Sequence, residues 1–160
     1  MRLIMAVSAD GIVAKGEDDT MDWLGPTDKK VFRILTSVGG PLGVSRKTAK
    51  VMPKTLKGRK LITISGSRGA PLVSLDTFRS YYGASGWLLG GQTLAMVALE
   101  TNALDEVHLC RSERLAGKGH KDQITPFLNS PSTPYSKGTW VMEMKTAIND
   151  VSVEYWKFHR

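Results

Sequence analysis

At 160 residues, with 41% apolar and 23% charged side chains, the chain reads as one soluble globule able to bury about two-thirds of its unfolded surface. Its longest apolar run, Leu94 to Leu99, falls far short of the roughly 20 residues that span a bilayer, and the opening apolar stretch is too short for a secretory signal. The net charge of +7 is scattered in short groups such as SRKTAK and LKGRK, a field that draws phosphorylated cofactors as readily as nucleic acid. No membrane and no nucleic-acid partner are therefore expected, and the cytoplasm is the expected location. A single cysteine, Cys110, excludes an internal disulfide and a cysteine-cluster metal site.

In chain order, Leu3 to Val7 alternates and is β-prone, which predicts a strand. Pro26 to Ser37 follows a helical period. A short strand leads into GVSRKTAK, with a short helix near Thr48 to Met52, and Lys60 to Ser65 reads as the next strand. Leu75 to Tyr82 is helical, Gly86 to Gly91 is an apolar strand stopped by glycines, Thr93 to Thr101 is helical, and Glu106 to Arg111 is a strand. AGKGHKDQ and NSPSTPYSKG read as surface loops. At the end, TWVMEMKT and VSVEYWKF alternate with period two around the turn residues of AINDV, the pattern of an antiparallel hairpin. Alternating strands and helices predict an α/β fold: a mixed, mostly parallel central sheet flanked by helices and closed by that hairpin. No repeat or linker divides residues 1–160, so one domain is expected.

Within the first helix, Asp28 precedes Val31 and Phe32 by three and four residues and so projects onto their apolar stripe. One reading is a first-turn carboxylate favoured by the helix dipole. The other is a desolvated acid awaiting a ligand with paired N–H groups, which a carboxylate accepts bidentately. LLGGQTL sets two glycines, Gly90 and Gly91, between a strand and a helix, where backbone N–H groups can meet an anion. SRKT offers Arg46, Lys47 and Thr48 at a helix start, and SGSRG places Ser65 and Arg68 after the next strand. Neighbouring strand ends of this kind can face one phosphorylated ligand. His108, His120 and His159 have no metal-ligand spacing, and no nucleophile–base pair is visible.

The order of these pieces resembles the dihydrofolate reductase family, within the superfamily that also holds the reductases of riboflavin biosynthesis. The resemblance rests on LIMAVSADGIVA, MDW, TDKKVFRILT, SRKT, LKGRKLITIS, LLGGQTL and DEVHLC, in that order along nearly the whole chain. It implies NADPH-dependent reduction of dihydrofolate, with hydride passing to C6 and a proton to N5. The family's acidic residue falls on Asp28, which would hold the 2-amino and N3 groups of the pterin. Ile4, Ala6 and Phe32 match positions around the pterin, Arg59 matches the arginine that pairs with the substrate's α-carboxylate, and Cys110 stands where the family has a threonine.

On the cofactor side the resemblance implies Ala6, Val13 and Met21 near the nicotinamide, with Val13 to Met21 as a closing loop. Arg46, Lys47, Thr48, Ser65 and Arg68 would meet the phosphates and adenosine. Gly90 and Gly91 match the family's glycine pair, and Gln92 and Thr93 replace a third glycine and a basic residue. The implied partners are dihydrofolate and antifolate-type small molecules, and a monomer is expected. SADGIVA and GGQTLAMVALETNALDEVHL are also similar to the riboflavin-pathway reductases, so another NADPH-dependent heterocycle reductase is the alternative. A basic nucleic-acid-binding module without catalysis is the non-enzyme alternative.

Overall fold

The structure is a computed structural model that describes residues 1–14, 24–52, 56, 58–64, 74–89, 92–117, 122–123 and 139–159. Its centre is β1 (Arg2–Val7), a strand whose side chains are apolar toward both faces after Arg2, as a strand covered on both sides requires. It pairs in parallel with β5 (Trp87–Leu88) on one side and β6 (Glu106–Ser112) on the other. Beyond β5 lie β3 (Leu42–Ser45) and β4 (Leu61–Ile64), also parallel. Beyond β6 lie β9 (Val151–His159) and β8 (Thr139–Ile148), both joined antiparallel. The strand order is therefore β4-β3-β5-β1-β6-β9-β8, the mixed sheet with a terminal hairpin that the alternation predicts.

Helices cover both faces. On one, α3 (Leu75–Tyr82) and α4 (Gln92–Glu100) bring Phe78, Leu94, Ala95, Ala98 and Leu99 onto Leu3, Met5, Val7, Leu88, Val107 and Leu109. Complete burial of Phe78 is worth roughly 2 to 3 kcal/mol. Gly43 on β3 makes room for it: a Cβ there would lie 2.6 Å from Ile64 Cδ1 and 3.1 Å from Phe78 Cζ. On the other face, α1 (Thr27–Leu35) lays Phe32 and Leu35 against Ile4, Leu42 and Trp87, and Val31 against Cys110 and Val151. A short helix, α2 (Arg46–Val51), starts directly where β3 ends; Ser45 Oγ caps it by accepting the Thr48 N–H at 3.3 Å.

Two features differ from the sequence reading. Part of the AGKGHKDQ segment is a strand, β7 (Asp122–Gln123), paired antiparallel with β2 (Ile12–Ala14) in a separate two-stranded sheet. Such a short pair carries no readable period, and its partners lie far apart in the chain. The alternation of β8 is also interrupted, because its register with β9 shifts between Met142 and Met144. Among the described residues, no helix is long and apolar enough to cross a membrane.

Candidate active site

The stretch SADG after β1 acts first as a structural clamp. Buried Ser8 Oγ accepts the Ile12 N–H at 2.9 Å, and Gly11 takes φ +77°, a value glycine adopts without strain. The Asp10 carboxylate accepts the N–H groups of Ala116 and Gly117 at 3.0 and 3.1 Å, which ties this turn to the segment leaving β6. The carboxyl ends of β1 and β6 are held together by these bonds. Beside them, on the α1 face, Ile4 and Ala6 of β1 stand next to His108 and Cys110 of β6.

Asp28 lies in the first turn of α1 and is 7% exposed. Among the described residues its Oδ1 has no hydrogen-bond partner. Burial is the main effect on its acidity and raises its pKa from the ordinary value. The backbone N–H groups of Lys29 and Asp28 itself pull the other way, and the charge of Asp150 adds to the rise. Cys110, 2% exposed, has its thiol pushed up to about 12, first by burial and then by the Asp28 charge. It therefore stays an S–H group at neutral pH and supplies only a weak donor. The helix-dipole reading of Asp28 accounts for its place in the first turn. It does not account for a sequestered oxygen left unbonded, since a buried polar atom is ordinarily satisfied.

The other site expectations separate into groups. Ile4 is buried and Phe32 half-buried in one apolar cluster with Leu42 and Trp87, while Ala6 joins Val31, Cys110 and Val151. Leu35 of α1 packs against both clusters. Arg59 donates Nε–H to the Thr36 carbonyl at 3.1 Å and a terminal N–H to the Arg33 carbonyl, so it holds the end of α1. Val13 is partly buried against the main core. Arg46 and Lys47 are exposed and Thr48 is half-buried at the start of α2; Gln92 and Thr93 open α4. Because β3 and β5 are adjacent and parallel, with Gly43 beside Leu88, the two helix starts rise from the same carboxyl edge of the sheet. That edge is where open α/β sheets take ligands. Met21, Ser65, Arg68, Gly90 and Gly91 lie outside the described residues, as does most of the expected closing loop. Among the described residues no group of side chains could hold a metal ion.

Sequence reasoning passed over Arg114 and Asp150, which pack at Gly25, three residues before Asp28. Asp150 was legible only as a turn residue, and nothing local marks Arg114.

No protein family's sequence profile matches the chain, and no curated protein does. Among solved structures, the chain is similar to a protein from Shewanella sp. PV-4 named for riboflavin biosynthesis, with a TM-score of 0.73 over 99% of this chain and 98% of that one. The fold is the dihydrofolate reductase-like one. At 16% identity the likeness speaks for the fold alone. A dihydrofolate reductase-like scaffold still leaves activity to the side chains, and among the described residues the buried Asp28 Oδ1 has no hydrogen-bond partner.

Proposed function

We propose that this chain reduces a nitrogen heterocycle at the expense of NADPH, with Asp28 holding the heterocycle. The supporting observation is the buried Asp28 Oδ1, without a hydrogen-bond partner among the described residues, on the helix whose Phe32 and Val31 pack with Ile4 and Ala6. A carboxylate so placed favours a flat ligand that presents two N–H donors on one edge, because paired charge-assisted bonds offset its desolvation. The 2-amino and N3 groups of dihydrofolate have that pattern, so dihydrofolate is the substrate of the first reading.

Arg46, Lys47 and Thr48 on one helix start, with Gln92 and Thr93 on the next, fit a phosphorylated dinucleotide laid along the carboxyl edge; two exposed cations suit a 2′-phosphate. When bound, NADPH would supply the hydride that C6 receives. The protein's own part is to orient and to exclude water. Asp28 fixes the ring by its donor edge, Ile4 and Phe32 flank it, and the negative charge of the carboxylate favours the protonated form of N5, whose proton would arrive through water. A second reading, a riboflavin-pathway-type reductase acting on a pyrimidine precursor, is supported by the full-length likeness to the Shewanella protein.

One spectrophotometric experiment separates them. Oxidation of NADPH is followed with dihydrofolate and, separately, with the aminopyrimidine precursor, NADH serving as the cofactor control. Turnover with dihydrofolate supports the first reading, and turnover with the pyrimidine alone supports the second. Oxidation of neither, with salt-sensitive binding of oligonucleotides instead, would return the chain to the basic binding module.

A further inference from the structure

The β2–β7 sheet is too small to hold itself. It consists of two registered residue pairs, Ile12 with Gln123 and Ala14 with Asp122, and the register shifts between them. A two-stranded ribbon is marginal in water even when longer, so bonds outside it must keep the strands together. On the β2 side, the chain folds back onto the end of β1. Ser8 N–H donates to the Ile12 carbonyl at 3.0 Å, and Ser8 Oγ accepts the Ile12 N–H at 2.9 Å. The β7 side arrives from β6 through Ala116 and Gly117, whose N–H groups donate to Asp10 Oδ1 and Oδ2 at 3.0 and 3.1 Å. The Ser8 hydroxyl also donates to Asp10 Oδ1.

The Asp10 carboxylate thus bonds at once to the turn that leads into β2 and to the segment that leads into β7. A backbone bond from Ala9 N–H to the Arg114 carbonyl, 2.8 Å, joins the same two segments nearer the sheet. With Gly117 fixed, only a short span remains to be closed before β7 meets β2, which lowers the entropy cost of that pairing. The side chain suits the task, because an ionised carboxylate only accepts and its charge strengthens each bond. Burial works to raise the Asp10 pKa, but the donors of Ala116, Ser8 and Gly117 outweigh it and hold the pKa below the ordinary value. An amide in this place has a single accepting oxygen. Its NH2 would face either the Gly117 N–H or the paired donors of Ser8 and Ala116.

We propose that Asp10 is a positioning residue for the cofactor half of the site: its carboxylate holds β7 against β2 and so fixes Ile12 to Ala14 beside the carboxyl end of β1. The hold on β2 rests on these hydrogen bonds. Its bearing on NADPH rests on the function proposed above, in which Val13 lies on the nicotinamide side. Asp28 stands on a different element, α1, so ligand binding at its carboxyl reports separately.

The test compares Asp10→Asn with the unaltered protein by amide hydrogen exchange and by two separate ligand titrations. The amides of Ala116, Gly117 and Ile12 to Ala14 should exchange about tenfold faster, while those of Ile4 in β1 and Leu109 in β6 keep their rates. NADPH binding, followed by fluorescence, should weaken about tenfold, and binding of a 2,4-diaminopyrimidine should stay unchanged. Ser8→Ala keeps the carboxylate and removes one donor to it, so it should speed the same amides by a smaller factor; it carries the test if Asp10→Asn does not fold. Unchanged exchange at Ala116, Gly117 and β2, or exchange that rises equally in β1 and β6, overturns the proposal. Ligand affinities that weaken together, or not at all, overturn it as well, since a merely structural role gives no such split. If exchange responds as stated and the unaltered protein does not bind NADPH, the hold on β2 stands and the reductase reading falls.

Discussion

Ala6 on β1 and Cys110 on β6 are direct register partners in a parallel pair, so both side chains leave the same face of the sheet, under α1. This relationship ties the first strand to the helix carrying Asp28. Parallel partners share a face, and a one-residue slip of β6 would turn Cys110 away and bring Leu109 or Arg111 beneath the acid.

Asp28→Asn should keep the fold and lose the chemistry. Burial raises the folded pKa of Asp28, so ionisation costs stability at every pH above that value, and the cost disappears as pH falls through it. The variant should therefore unfold at an equal or higher temperature at neutral pH, with the difference vanishing in acid. Turnover of NADPH with dihydrofolate should fall about 100-fold or more. Near-normal rates would defeat the role given to this residue.

Cys110→Thr puts a hydroxyl, a better donor than a thiol, beside the unbonded Asp28 oxygen at nearly the same side-chain size. Binding of a 2,4-diaminopyrimidine, measured by calorimetry, should tighten about tenfold. Unchanged or weaker binding would mean that the thiol does not face the acid.

The same thiol makes a prediction about pH. In the unfolded chain it ionises near its ordinary value of 9.0, while in the folded protein it holds its proton to about 12. Folding stability should therefore decline as pH rises from 9 toward 12. Cys110→Ala should show a shallower decline in parallel urea titrations. At pH 8 the native thiol should react with an alkylating reagent no faster than the protein opens.

Gly43→Ala tests the packing behind the site. The added methyl would press on Ile64 Cδ1 and on the ring of the fully buried Phe78. The expected loss is about 1 to 3 kcal/mol in urea denaturation, with the cofactor and ligand affinities little changed. An unaffected midpoint would show that β3 and α3 stand further apart than the structure has them.

Much of this molecule can be read from local pattern. The period-two run from Leu3 to Val7, the amphipathic stripe of α1 with its misplaced acid, and the alternating halves of the terminal hairpin all announce their elements, because side-chain direction repeats with backbone geometry. The two helices expected near Thr48 to Met52 and over Thr93 to Thr101 were legible too, and they begin slightly earlier, at Arg46 and Gln92. The β2–β7 pair and the interruption near Met142 were not, since neither leaves a period in the chain.

Sequence by itself thus determined the kinds of element, their order, and the oddity of a carboxylate on a greasy face. The role proposed for that oddity comes from the resemblance. Only the tertiary structure decided that Asp28 is sequestered with an oxygen unpaired among the described residues, that Cys110 comes under its charge, and that Arg114 and Asp150 gather at Gly25 ahead of its helix. The reason is physical. Periodicity is a property of a few consecutive residues, whereas desolvation and electrostatic influence depend on which distant segments the sheet order brings together.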